Sequence, residues 1–82
     1  MKLLYFSAPW CGPCRVFGPI MDKVAQSGVP VQKINVDDNS DLTMKYSIRN
    51  VPTVIKVDSK GNMISSFVGV KNQQQVIEFY NQ

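Results

Sequence analysis

The chain contains no histidine. Acid–base schemes and metal sites built on imidazole are therefore excluded. It has only two cysteines, Cys11 and Cys14. Structural zinc normally takes four ligands, so a zinc site could be completed only between chains. No apolar run approaches the ~20 residues of a membrane-crossing helix, so no membrane association is expected. Runs of like charge are absent too: nine basic and six acidic residues are spread along the chain, with a net charge of +3. That pattern reads as a solvated surface and not as a nucleic-acid patch. There is no linker, repeat or low-complexity segment. The polar run Asn72-Gln73-Gln74-Gln75 is too brief to count as one.

What remains is 82 residues with 44% hydrophobic content. This suits a single small domain over residues 1–82 with a modest core. Domains of this size often need a covalent staple. A Cys11–Cys14 bond would be a poor one, because so short a loop removes little unfolded-state entropy. The core must hold with the thiols reduced. The opening Met1-Lys2-Leu3-Leu4 looks faintly like a signal peptide, but its apolar stretch ends within a few residues and runs into the cysteines. Cleavage there would destroy them, so a reducing, cytoplasmic location is expected.

The chain is organised around Trp10-Cys11-Gly12-Pro13-Cys14. These residues follow the apolar run Leu3-Leu4-Tyr5-Phe6 and precede a stretch of helical spacing. The two thiols therefore fall on a strand-to-helix turn, where Cys-x-x-Cys reads as a redox pair. The first helical turn has free N–H groups and the positive end of the macrodipole. A thiolate is stabilised there and becomes nucleophilic near neutral pH. The second thiol is close enough to attack a mixed disulfide formed by the first. Beside the thiols, Trp10 reads better as a partly exposed contact surface than as core.

Residues 2–7 read as a central strand covered on both faces. A helix follows over 12–27, with Val16, Phe17, Ile20, Met21, Val24 and Ala25 at apolar spacing. Pro13 suits its first turn, Gly28 suits its end, and Pro19 should kink it. Residues 30–36 alternate as an edge-ward strand, parallel to the first. Asp37-Asp38-Asn39-Ser40-Asp41 reads as a capping turn before a short helix, about 40–47. Strands over 53–57 and 63–68 flank a turn with Gly61, which makes them an antiparallel hairpin. Asn72 caps a last helix, 73–80, which places Val76, Ile77 and Tyr80 on the sheet. The order is β-α-β-α-β-β-α, an α/β fold with a four-stranded mixed sheet flanked by helices.

Trp10-Cys11-Gly12-Pro13-Cys14 resembles the active-site motif of the thioredoxin family, down to the two residues between the cysteines. Pro19 falls where thioredoxins carry a proline. Lys33-Ile34-Asn35-Val36-Asp37 resembles the strand that contributes a lysine behind the site. Ile48-Arg49-Asn50-Val51-Pro52-Thr53 resembles the segment whose proline follows a cis peptide bond and faces the cysteines. Residue statistics alone favour trans; the resemblance implies cis at Val51–Pro52. Such a bend would expose the Val51 backbone to pair with an extended substrate. Gly69 matches a glycine lining the substrate groove, although by itself it reads equally as a strand-end turn. The resemblance spans about Leu4 to Tyr80. It implies a thioredoxin-like fold, catalytic Cys11 and Cys14, and a substrate groove of Trp10, Gly12, Pro13, Val51, Pro52 and Gly69.

Three departures stand against that pattern. Typical thioredoxins begin with a further strand and helix. They also place a buried aspartate six residues before the first cysteine, where this chain has Tyr5, and an aromatic two residues on, where it has Ser7. Tyr5 puts the usual proton-transfer route in doubt and leaves Lys33 to turn outward or to find another acid.

The leading expectation is a dithiol–disulfide oxidoreductase that reduces protein disulfides. Cys11 attacks, Cys14 resolves, and an NADPH-dependent thioredoxin reductase restores the dithiol. Neither a bound cofactor nor a metal is implied, and a monomer is expected. A glutaredoxin-like enzyme recharged by glutathione fits the size but not Gly12-Pro13. Nor does it fit the stretch after Gly69, which lacks a second glycine with an acid to hold the glutathione amine. In a third reading, the fold is a binding module with incidental thiols.

Overall fold

The computed structural model describes all of residues 1–82. Its elements run β1 (Lys2–Ser7), α1 (Gly12–Gln26), β2 (Val31–Asn35), α2 (Ser40–Lys45), β3 (Thr53–Val57), β4 (Met63–Val68) and α3 (Gln73–Asn81). The four strands form one sheet in the order β2-β1-β3-β4. β2 is parallel to β1, while β3 is antiparallel to both β1 and β4. Element order and sheet type match the sequence-based expectation.

The apolar content of each strand matches its place. β1 is central, and Leu3, Leu4, Tyr5 and Phe6 are all buried. β3, the other central strand, is buried at all five positions, Lys56 included. β2 and β4 lie at the edges and leave most of their residues partly or fully exposed.

Alternation along the strands sends side chains to two separate cores. On one face, Leu3, Tyr5 and Val54 meet Phe17, Met21 and Val24 of α1 and Val76 and Phe79 of α3. Edge-to-face aromatic contacts run through this layer from Tyr5 to Phe17, Phe67 and Phe79, with centroids 5.4, 6.1 and 4.9 Å apart. On the other face, Leu4, Phe6, Ile34, Ile55 and Val57 are covered by the partly buried Leu42, Tyr46 and Ile48. α2 itself has no fully buried residue. It is tied down by Tyr46, whose hydroxyl donates to the Gly61 carbonyl.

Several boundaries shift from those read in the sequence. α1 stops at Gln26, with Ser27 as its cap, and Gly28 turns the chain at φ +107°. The helix is continuous through Pro19, whose missing N–H leaves the Arg15 carbonyl without its helical donor. Val16 and Ala25 lie outside the buried stripe. α2 is two residues shorter than expected and ends where Ser47 adopts φ +55°. In α3 the deepest residues are Val76 and Phe79, with Ile77 and Tyr80 only partly buried. The i, i+3 pair Val76 and Phe79 points straight down, and the expected Ile77 and Tyr80 flank it. A capping box closes the start of α3, with the Asn72 side chain accepting from Gln75 N at 2.8 Å and Gln75 returning the bond.

No helix is long and apolar enough to cross a membrane.

Candidate active site

The chain leaves β1 at Ser7, turns through Ala8-Pro9-Trp10 and enters α1 at Gly12. Cys11 is the N-cap of α1, and its sulfur accepts the Cys14 backbone N–H at 3.2 Å. Pro13 occupies the first turn, where no N–H is needed. Cys11 and Cys14 are joined in a disulfide with Cα atoms 5.3 Å apart. Both are buried, at 4% and 7% exposure, in a small cluster with Ala8. Val36 and Val51 pack against that cluster.

Val51 brings the second segment to the sulfurs. The Val51–Pro52 peptide is cis, as the resemblance implies. Pro52 is buried, and its carbonyl accepts from Gly69 N at 2.9 Å. Gly69 has φ +98°, a left-handed conformation that side chains disfavour. One end of β4 is thereby pinned to the proline loop. Trp10 stands 68% exposed beside this loop. It shares a groove of about 150 Å³ with Val36, Ile48, Arg49 and Val51. The structure thus gathers Trp10, Cys11, Gly12, Pro13, Cys14, Val51, Pro52 and Gly69 at one end of the sheet.

Two contacts here go beyond the sequence reading. The Trp10 indole donates to both carboxylate oxygens of Asp37, at 3.1 and 3.3 Å. The sequence suggests only a capping turn for Asp37. The N-cap of α2 is instead Asn39, and its side chain makes no capping bond. A signal for the indole contact lies in the β1/β2 register. Ser7 pairs with Asn35, so Trp10 and Asp37 leave neighbouring strand ends on the same side. Lys33, the lysine expected behind the site, has found another acid and pairs with Asp22 of α1.

A second opening of about 270 Å³ lies beside the thiols and is lined by Tyr5, Ser7, Cys14, Arg15, Lys33 and Asn35 among others. Tyr5 is 2% exposed and donates its phenolic proton to the Cys14 carbonyl at 3.4 Å. Burial raises its pKa above the ordinary 10.0; a hydrogen bond with Ser7 opposes this, and the negative charge of Asp22 adds to it. Near neutral pH the group is a hydrogen-bond donor and cannot accept a proton.

A four-stranded mixed sheet, a disulfide at a helix N-terminus and a cis-proline turn packed on it define the thioredoxin-like class. The thioredoxin family model matches the chain over residues 1–82. The chain belongs to the thioredoxin family. It is 40% identical over 77 residues to the mitochondrial thioredoxin of Bos taurus, covering 90% of this chain and 46% of that protein. It thus spans about half the length of the mammalian relatives it matches. With the thioredoxin of Haemophilus influenzae it shares 36% identity over 83 aligned positions, covering 98% and 77% of the two chains. Among solved structures, a malaria parasite thioredoxin-2 superposes with a TM-score of 0.88 at 25% identity, covering 98% of this chain and 80% of that one. A mutant thioredoxin from Halobacterium salinarum gives 0.87 at 31%, covering 98% and 71%.

Proposed function

We propose that this chain is a thiol–disulfide oxidoreductase that reduces disulfides in protein substrates, with Cys11 as the attacking thiol and Cys14 as the resolving one. The observation that carries the reading is the Cys14 N–H aimed at the Cys11 sulfur at the first turn of α1. In the reduced protein that donor and the helix dipole favour negative charge on Cys11. The Cys11 thiolate attacks one sulfur of the substrate disulfide, which releases one substrate thiolate and leaves a mixed disulfide. Cys14 loses its proton and attacks the Cys11 sulfur. The second substrate thiol departs, and the chain is left with the Cys11–Cys14 bond. Two electrons pass from the dithiol to the substrate.

Trp10, Gly12, Pro13, Val51, Pro52 and Gly69 form the docking surface in this reading. The Val51 backbone pairs with an extended substrate segment. An NADPH-dependent thioredoxin reductase returns the dithiol, with glutathione as the weaker candidate. The domain acts as a monomer in a reducing, cytoplasm-like compartment, without a bound cofactor.

The test is reduction of a protein disulfide coupled to NADPH and a thioredoxin reductase. Turnover is expected for the wild type. Cys11→Ser should be inert, and Cys14→Ser should trap a mixed disulfide with substrate. Unchanged turnover in Cys11→Ser would show that the thiols are incidental to what this fold does.

A further inference from the structure

Resolution by Cys14 requires its proton to leave, and Cys14 is only 7% exposed to solvent. A free thiol titrates near ~8.5 and is mostly protonated near neutral pH, so a base speeds the step. There is no histidine, and the Tyr5 phenol already carries its proton. The base must then be water or one of six acids, Asp22, Asp37, Asp38, Asp41, Asp58 and Glu78.

Five of these have carboxylates that bond elsewhere or stand in solvent. Asp37 holds the Trp10 indole. Asp38 and Asp41 lie exposed around the start of α2. Asp58 accepts the Lys60 and Asn62 amides in the β3–β4 turn. Glu78 is exposed on α3 and accepts from Gln74. Among the six, only the Asp22 carboxylate is bonded to a side chain that lines the opening beside Cys14, namely that of Lys33.

The topology explains the placement. Tyr5 and Lys33 are register partners on β1 and β2, so their side chains leave the same face of the sheet toward α1. Lys33 reaches α1 and meets Asp22, and both side chains are about half exposed, at 54% and 50%. The opening measures about 270 Å³, room for several waters at ~30 Å³ each. The charged side chains that line it are Arg15 from α1 and Lys33 from β2, with the neutral Tyr5 from β1, and Asp22 joins them through Lys33. α3, which also packs on α1, adds only the exposed Glu78 and the Tyr80 hydroxyl, which donates to the Met1 carbonyl.

We propose that Asp22, paired with the Lys33 that lines this opening, accepts the Cys14 proton through water in the cleft. The carboxylate serving the resolving thiol thus sits on the helix and not on the central strand. As Cys14 Sγ attacks, its S–H bond breaks and the proton passes through cleft water to the Asp22 carboxylate. The Cys11–substrate S–S bond breaks as the Cys11–Cys14 bond forms, and the departing substrate thiolate is protonated from solvent. The proposal rests on the oxidoreductase reading.

The two are separated by stopped-flow reaction of the reduced protein with dithiobis-nitrobenzoate. Attack by Cys11 releases one coloured thiolate, and resolution by Cys14 releases a second. Asp22→Asn should leave the first phase unchanged and slow the second near pH 7. A positioned base is worth ~10²–10⁴-fold, and a water-relayed one should fall at the low end. The gap should close as pH rises past the ~8.5 of a free thiol, where Cys14 ionises unaided. Added imidazole should restore the slow phase of Asp22→Asn in proportion to its concentration. Lys33→Met should slow the same phase, and the Glu78→Gln control should not. Asp22→Glu, which keeps the carboxylate, should stay close to wild type and guards against a purely structural loss. An unchanged second phase in Asp22→Asn, or a slowed one with neither pH convergence nor rescue, overturns the assignment. If no first phase appears in the wild type, the oxidoreductase reading falls, and the Asp22 assignment falls with it.

Discussion

The face of the sheet covered by α1 and α3 buries two side chains with polar ends, Tyr5 and Lys56, one toward each end, and the two are handled in opposite ways. At the thiol end, Tyr5 meets the start of α1 as a neutral donor, with its hydroxyl on the Cys14 carbonyl. At the far end, Lys56 meets the end of α3 as a cation. Its ammonium donates to the carbonyls of Phe79, Tyr80 and Gln82 at 3.0, 3.5 and 2.7 Å and lies over the Phe79 ring. Lys56 is 1% exposed, a depth at which lysine is rarely found without a partner. The helix dipole accounts for the pairing. A cation is favoured at a helix C-terminus, where orphan carbonyls need donors. Near a helix N-terminus, which in the proposed reading stabilises the Cys11 thiolate, a neutral group adds no competing charge. In the proposed reading, the same packing layer thus serves a reaction centre at one end and an anchor at the other.

The largest blow to this contrast should come from Tyr5→Ala. Removing a buried aromatic typically costs about 3–5 kcal/mol, and here it also removes the edge contact with Phe17. Chemical denaturation should show the loss directly. Lys56→Met comes next, since it keeps the stem but leaves the carbonyls at the end of α3 without their donor. We expect about 2–3 kcal/mol, or a fall in melting temperature of roughly 10–20 °C for a domain of this size. Thiol–disulfide exchange should stay within about two-fold of wild type, in keeping with a purely structural anchor. A marked loss of exchange in folded Lys56→Met would erase the distinction between the two ends.

Tyr5→Phe should have the smallest effect, about 1 kcal/mol at neutral pH, because it deletes the long hydrogen bond to the Cys14 carbonyl and the contact with Ser7 but keeps the ring. Its signature is at alkaline pH. The folded-state pKa of Tyr5 is raised, so the unfolded chain loses this proton first. The stabilisation is complete below the unfolded value of about 10 and is lost as pH climbs through the folded one. Wild-type stability should thus fall more steeply above pH ~10 than that of Tyr5→Phe. Denaturation midpoints measured across that range would reveal parallel curves if the phenol were not perturbed.

Elements whose signals are local are legible from the residues. The apolar run Leu3–Phe6 marks a central strand, Gly28 and Gly61 mark turns at positive φ, and Asn72 with Gln75 marks a helix start. The cysteine motif shows its place at a strand-to-helix turn for the same reason. Contacts between elements are not legible. Nothing near Lys56 in sequence says that its strand will face the end of a helix 23 residues on. The pairing of Asp22 with Lys33 depends on α1 crossing back over β2, and that of Trp10 with Asp37 on strand register. The sequence favours Tyr80 over Phe79 as a sheet contact because the last helix is short, and a short helix fixes the direction of its apolar stripe poorly.

The thin attachment of α2 has a consequence for motion. Segments with little buried apolar surface open locally at a fraction of the global unfolding free energy. α2 buries no residue completely and lacks a side-chain N-cap bond, so its amides should exchange with deuterium well before those of α1 or β3. Its two flanks carry Asp37, which holds Trp10, and Ile48 to Val51, which line the groove beside it. An opening of α2 would loosen both walls of that groove together while the disulfide turn stays clamped to the β1–α1 core. If the groove docks substrate as proposed, the rigid half of the site carries the sulfur chemistry, and the half that opens with α2 sets the width offered to an incoming chain.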